Sequence, residues 1–228
     1  YWVSYPEQVR LCGAKTVSLR TSGDNDFQPD LDEVAAAITP KTKALLINSP
    51  SNPSGAVFTR ATIEGLGELA CKHDLTIVSD EIYKHILYDG RTHESTAKLS
   101  DELKERTIIA DGVAKTYAMT GWRIGWLIAP PAFAKAADNL QSQETSNANS
   151  IAQWASIEAL TGPQESVEQM RAAFAERRDV LVPALNEIPG VKCANPGGAF
   201  YVFPDISAHL GRTLGGMEIK TSIDMELY

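Results

Sequence analysis

Residues 44–48 read ALLIN, residues 75–79 LTIVS and residues 107–110 TIIA. Each run is short, largely apolar and closed by polar or turn residues, the pattern of a strand covered on both faces. Between the first two lies a stretch that sets Ile63, Leu66 and Ala70 on one helical face, with Thr59 placed to cap it. The runs begin at residues 44, 75 and 107, and a βαβ unit takes roughly 30 residues. Strand, helix and strand at that spacing predict a doubly wound α/β sheet, mostly parallel and sandwiched by helices.

Working outward, Asp30 and Glu33 form a capping-box-like start for a helix whose Leu31, Val34 and Ile38 share a face. Residues 123–129, RIGWLIA, read as a further strand. After about residue 164 the alternation stops. Val167, Met170, Phe174, Leu181 and Leu185 follow helical spacing along one long charged helix, which Pro189-Gly190 ends. Beyond it Gly197-Gly198 leads into residues 199–203, AFYVF, read as a strand outside the α/β pattern. The expected organisation is a large domain over 1–164, a joining helix over 165–189, and the beginning of a smaller α+β domain over 190–228. Ser222 is placed to cap a last helix of little more than one turn, too short to hold itself. With Tyr rather than Met at position 1, the chain reads as an internal piece of a longer protein.

Composition narrows the function classes. The 228 residues carry a formal charge of -8, so nothing draws the chain generally to phosphate backbones or anionic lipid, and no local basic patch interrupts that balance. Nucleic-acid and membrane partners are not expected. No apolar run approaches the roughly 20 residues that cross a bilayer. Cys12, Cys71 and Cys193 are odd in number and far apart, with no CxxC pair, and the four histidines lack HxxxH spacing. That argues against a disulfide framework or a zinc site and makes a reducing, cytoplasmic setting the default, with the histidines as surface or packing residues.

Ligands of open α/β sheets bind beyond the carboxyl ends of the strands. Each predicted strand delivers a distinctive group there: Asn52 in the turn SPSNPSG, Asp80 and Tyr83 in DEIY, Lys115 in DGVAK. An acid, an amide, a phenol and a lysine in one crevice can hold a heteroaromatic ring and attack a carbonyl. Lysine amines form Schiff bases with carbonyl substrates and with pyridoxal phosphate (PLP), and a carboxylate on the pyridine nitrogen completes such a site. Taken singly, each has a plainer role. Lys115 alone is a solvated charge, Asp80 alone a helix cap, Asn52 beside Pro53 a turn residue, and Tyr83 a packing residue on a helical face shared with Asp80. Their joint placement favours the site.

The runs NSPSNPSG (48–55), VSDEIY (78–83), and Ala114-Lys115 through Gly121-Trp122-Arg123 resemble fold-type I PLP-dependent aminotransferases of class I/II, the bacterial aspartate aminotransferases in particular. The resemblance extends from YWVSYP (1–6) to PGGAFY (196–201). It implies a role for each matching residue. Lys115 would carry the cofactor as a Schiff base and shuttle the proton between Cα and the cofactor's C4′. Asp80 would keep the pyridine nitrogen protonated. Asn52 and Tyr83 would hydrogen-bond the phenolic oxygen, Arg123 would grip the phosphate, and Trp2 would stack on the ring. It also implies amino-acid and 2-oxo-acid substrates and a homodimer.

Two departures stand out. Gly112 occupies the place, three residues before the lysine, where many relatives bind phosphate with a Ser. The family's Gly- or Ser-rich phosphate loop and its substrate-binding Arg fall outside the chain. Two competing functions share the same motifs: a PLP-dependent C-S β-lyase, and the effector-sensing aminotransferase-like domain of a transcription regulator.

Overall fold

A computed structural model describes residues 1–227. Helix α1 (Ser4–Leu11) leads through an irregular stretch to α2 (Leu31–Ala37), which Asp30 caps by accepting from the Asp32 and Glu33 amides at 2.8 and 3.1 Å. The α/β alternation follows: β1 (Ala44–Asn48), α3 (Arg60–Lys72), β2 (Thr76–Asp80), the single turn α4 (Asp101–Lys104), β3 (Thr107–Gly112) and β4 (Gly125–Ile128). Three helices come next, α5 (Pro131–Glu144), α6 (Ser150–Thr161) and α7 (Glu165–Asn186), and then the pair β5 (Arg212–Leu214) and β6 (Met217–Ile219) before α8 (Ser222–Leu227).

The sheet runs in the order β1-β2-β3-β4. Its first three strands are parallel, with Ala44 opposite Thr76 and Ile77 opposite Thr107, while β4 returns antiparallel with Ile128 opposite Ile109. Helix α3 forms where its apolar spacing requires, started by Thr59 Oγ1, which accepts from the Thr62 amide at 3.1 Å. Its Ile63, Leu66 and Ala70 meet Ile47 and Ile77 of the sheet, Val34 of α2 and Leu103 of α4 in one core. A fully buried Ile such as Ile63 or Ile77 is worth about 2 kcal/mol of hydrophobic transfer. The opposite face is more open, with Leu46 and Leu127 40% and 42% exposed.

Several boundaries differ from the sequence expectation. Strand β2 starts one residue later and ends on Asp80, which pairs with Asn48 and Ala110 in the parallel ladders, and β3 runs on through Asp111 and Gly112 because these pair with Trp126 and Gly125 of the antiparallel β4. Only Gly125–Ile128 of residues 123–129 pairs as a strand. Arg123, at φ 56°, ends the preceding turn in the left-handed region. Residues 199–203 are not a strand. Ala199 is left-handed at φ 57° and gives its N–H to the Ile86 carbonyl at 2.9 Å, while the apolar run is held by ring packing rather than a ladder.

Helix α7 packs Met170 and Phe174 against Tyr83, Ile86, Tyr88 and Ala199. Its buried face continues through Arg178 and Val182, and Leu181 is 45% exposed, since steps of four from 174 reach 178 and 182. Arg178 grips Asp89 with two nitrogens, at 2.7 and 2.9 Å, and lies 4.8 Å over the Tyr88 ring. At the last helix the cap is Thr221 rather than Ser222: its Oγ1 accepts from the Asp224 amide, and the Asp224 carboxylate accepts from the Thr221 amide in return. No helix among the described residues is long and apolar enough to cross a membrane.

Candidate active site

The parallel register sets Asn48 directly opposite Asp80 at the carboxyl edge of the sheet. Asn48, which is buried, spends its amide on both neighbours. Its Nδ2 donates to the Asp80 carbonyl at 3.1 Å, and its Oδ1 accepts from the Asn52 amide at 2.7 Å. One side chain therefore fixes the strand end that carries Asp80 and the turn that carries Asn52. The turn is closed by Gly55 at φ 68°, where a Cβ would stand 2.4 Å from the Pro196 Cβ and 2.8 Å from the Gly198 carbonyl oxygen. Only glycine allows both that conformation and that approach.

Both oxygens of the Asp80 carboxylate are occupied. Oδ2 accepts from the Tyr5 hydroxyl at 2.6 Å, and Oδ1 from the Ile82 amide at 3.1 Å. Tyr5 is buried, and burial, then the Asp80 charge, pushes its phenol far above the usual range, so it stays a donor. Trp2 meets the Tyr5 ring edge-on, with centroids 5.5 Å apart at 88°. At 41% exposed, Trp2 presents its other side to solvent and is not a buried core aromatic.

No helix follows β2. Glu81–Lys84 and Tyr83–Ile86 form two successive turns, so Tyr83 and Asp80 do not share a helical face. Tyr83 is buried, with its hydroxyl 2.5 Å from that of Tyr201, and Asn52 Nδ2 donates to the same Tyr201 oxygen at 3.3 Å. Burial, and after it the Tyr201 contact, raises the Tyr83 phenol well above its ordinary value. Lys115 Nζ lies 5.8 Å from the centre of the Phe200 ring, which in turn packs on Phe174, Tyr83 and Tyr201. Among the described residues no carboxylate stands within ion-pair distance of Lys115. Lys84, by contrast, is locked to the buried Asp111 at 2.5 Å.

Glu81 points to the other side of the strand end. It accepts from Ser95 at 2.7 Å and Ser79 at 3.1 Å and faces His93 Nε2 at 3.0 Å. Burial works against its charge, but the contacts with His93, Ser95 and Ser79 outweigh it and hold the carboxyl below its ordinary value. His93 is thus the partner of a buried acid, beyond the surface or packing role expected of the histidines.

Contacts chain Trp2, Tyr5 and Asp80 together, tie Asp80 to Asn52 through Asn48, and join Asn52, Tyr83 and Lys115 through Tyr201 and Phe200. Arg123 stands apart from this network. It is exposed, donates to the Thr120 carbonyl at 2.9 Å, and lines a cavity of about 460 Å³ with Gly121, Trp122, Asn149 and Ala152. Gly112 pairs with Gly125 across the β3–β4 ladder, and a Cβ there would stand 2.7 Å from the Ile124 carbonyl oxygen. A serine has no room in this packing. Asn48, Tyr5, Phe200 and Tyr201 went unpredicted as site residues. The signal available for them was their position inside the quoted motifs, which carries no contact information by itself.

With this geometry in view, the chain matches the family model for aminotransferase class I and II over residues 1–225. It is 50% identical to an aspartate aminotransferase of Bacillus subtilis (strain 168) over 205 residues, covering 90% of this chain and 52% of that protein. An aspartate/prephenate aminotransferase of Cereibacter sphaeroides is 46% identical over 217 residues, covering 95% and 54%. The crystal structure of an aspartate aminotransferase from Rhizobium meliloti superimposes with a TM-score of 0.93 at 42% identity, covering 99% of this chain and 57% of that one. The chain thus spans about half the length of the curated relatives it matches. A family model matching nearly every residue, on a mixed α/β sheet that superimposes on a member's structure, means that the chain belongs to the aminotransferase class I and II family.

Proposed function

We propose that the full-length protein is a PLP-dependent aminotransferase that moves an amino group between an L-amino acid, aspartate or a relative of it, and a 2-oxo acid. One observation carries this: a carboxylate held on both oxygens shares the sheet's carboxyl edge with an amide and a phenol that already converge on a phenolic oxygen, that of Tyr201. The donor set fits the cofactor group by group. Asp80 suits a basic ring nitrogen, Asn52 and Tyr83 suit a phenolic oxygen, and the Lys115 amine suits a carbonyl.

PLP, when bound, supplies an aldehyde that takes up amines and a ring that accepts the electron pair left when Cα loses its proton. The chain's own residues do the rest. Asp80 would hold a proton at the ring nitrogen, because a carboxylate beside a pyridinium favours the charged form of each. Asn52 and Tyr83 would hold the ring through its oxygen, and Trp2 would cover one ring face. Lys115, with no carboxylate within ion-pair distance among the described residues, would take the Cα proton and return it one atom away, at C4′. Arg123, which stands apart from the contact network at the cavity beside Asn149, would supply a forked cation for the phosphate.

In this reading residues 1–164 hold the cofactor, 165–189 join, and 190–228 begin a smaller domain. Phe174 of α7 supports it by touching both the Tyr83 turn and Phe200. A homodimer is supported by α6, whose Ile151 and Trp154 are 69% and 73% exposed, an apolar surface of the kind an interface covers. The cytoplasmic setting rests on three free cysteines.

The test is the full-length protein with aspartate and 2-oxoglutarate, reading keto-acid formation, beside cystathionine, reading pyruvate and thiol. Amino transfer is expected, with the PLP-dependent visible absorption lost in Lys115→Ala. Thiol release without amino transfer would replace this function with a β-lyase.

A further inference from the structure

The residue that faces Asp80 from α1 is tied to it more closely than packing requires. Tyr5 donates to Oδ2 at 2.6 Å across 75 residues of sequence, from a buried position, and Trp2 braces its ring edge-on. The other oxygen, Oδ1, is taken by the Ile82 amide, and the backbone of Asp80 is anchored by Asn48. The two carboxylate oxygens and the backbone carbonyl are therefore each held by one contact, and among the described residues only the Tyr5 contact brings a side chain to the carboxylate itself. A hydrogen bond donated to a carboxylate withdraws charge from it and lowers its basicity. Where a carboxylate and a pyridine nitrogen share one proton, a less basic carboxylate leaves the proton on the nitrogen.

We propose that Tyr5 is a positioning residue for Asp80: its hydroxyl fixes the carboxylate by donating to Oδ2, so that the shared proton stays on the ring nitrogen of PLP. This rests on the PLP reading above. The hydroxyl is equipped for the part, since burial and the neighbouring charge prevent it from ionising. Tyr83 also feels the Asp80 charge, but its hydroxyl is committed to Tyr201. A purely structural Tyr5, serving only to dock α1 on the sheet, would leave the proton where it is.

The experiment uses the full-length holoprotein reconstituted with PLP labelled with 15N in the ring. The 15N shift of the ring nitrogen is read in wild type, Tyr5→Phe, Asp80→Asn and the double variant, with thermal melting to establish that each is folded. In Tyr5→Phe the signal is expected to move from the protonated toward the unprotonated position. In the Asp80→Asn background the second substitution should add nothing, because an amide does not take the proton. An unmoved signal in a folded, PLP-bearing Tyr5→Phe overturns the Tyr5 assignment and leaves the PLP reading intact. A wild-type protein that binds no PLP overturns both.

Discussion

Replacing Asp89 with Asn tests how α7 is held against the segment after β2 that carries Tyr83 and Tyr88. Arg178 is only 8% exposed, and it meets Asp89 in a two-pronged pair at 2.7 and 2.9 Å, Asp179 at 2.8 Å and the Pro196 carbonyl at 3.2 Å. Removing one partner of a fully buried ion pair costs about 3–5 kcal/mol, because the remaining charge is stranded. Two features reduce that figure here. The Asp89 side chain is 50% exposed, so water can take its place, and Asp179 remains as a second counter-charge. Asn also keeps one acceptor oxygen. A loss of about 1.5 kcal/mol follows, and for a chain of this size about 3–6 °C in Tm. Thermal and urea melts of the purified protein measure it. Arg178→Met, which keeps apolar contact with the Tyr88 ring and strands no charge, should cost no more than Asp89→Asn. A loss below about 0.5 kcal/mol in Asp89→Asn, or a larger loss in Arg178→Met, would refute the ion-pair account and leave packing of the arginine stem as the anchor.

Two further substitutions probe the sheet edge. Glu81 has its folded value depressed, so its contribution to stability is full above the ordinary carboxylate value and is lost as pH falls through the depressed one. Wild-type stability should drop on acidification below about pH 4.5, and Glu81→Gln should flatten that dependence in urea melts taken across pH 3–7. Gly112→Ser should destabilise by about 1–3 kcal/mol, because its Cβ would press on backbone atoms of Ile124 and Gly125 that cannot rotate away. An unchanged Tm would show that β4 shifts freely.

Much of the sheet was legible because its signals are local. The apolar runs at 44, 75 and 107 and the cap at Thr59 act through nearest-neighbour chemistry and helical period, and the folded chain keeps them within a residue or two. Residues 199–203 misled for the converse reason. An apolar, aromatic run has strand composition, but it pairs only if a neighbouring edge is offered, and here the Ile86 carbonyl takes the Ala199 N–H and the Phe174 ring of α7 packs on Phe200 instead. Leu181 failed by one position for a related reason, since charged Arg178 takes a buried place once Asp89 is there to meet it.

The sequence alone determined which chemical groups stand at the ends of the parallel strands, because a βαβ chain with this spacing brings its strand ends to one edge. It could not say which side chains hold those groups still. Tyr5 and Asp80 are 75 residues apart, and Tyr83 and Tyr201 are 118 apart. Hydrogen bonds of that reach depend on the register of β1 against β2 and on where α1 and α7 come to rest. Those are set by the packing of whole elements, so only the tertiary structure decided which residues hold Asp80 and Tyr83 in place.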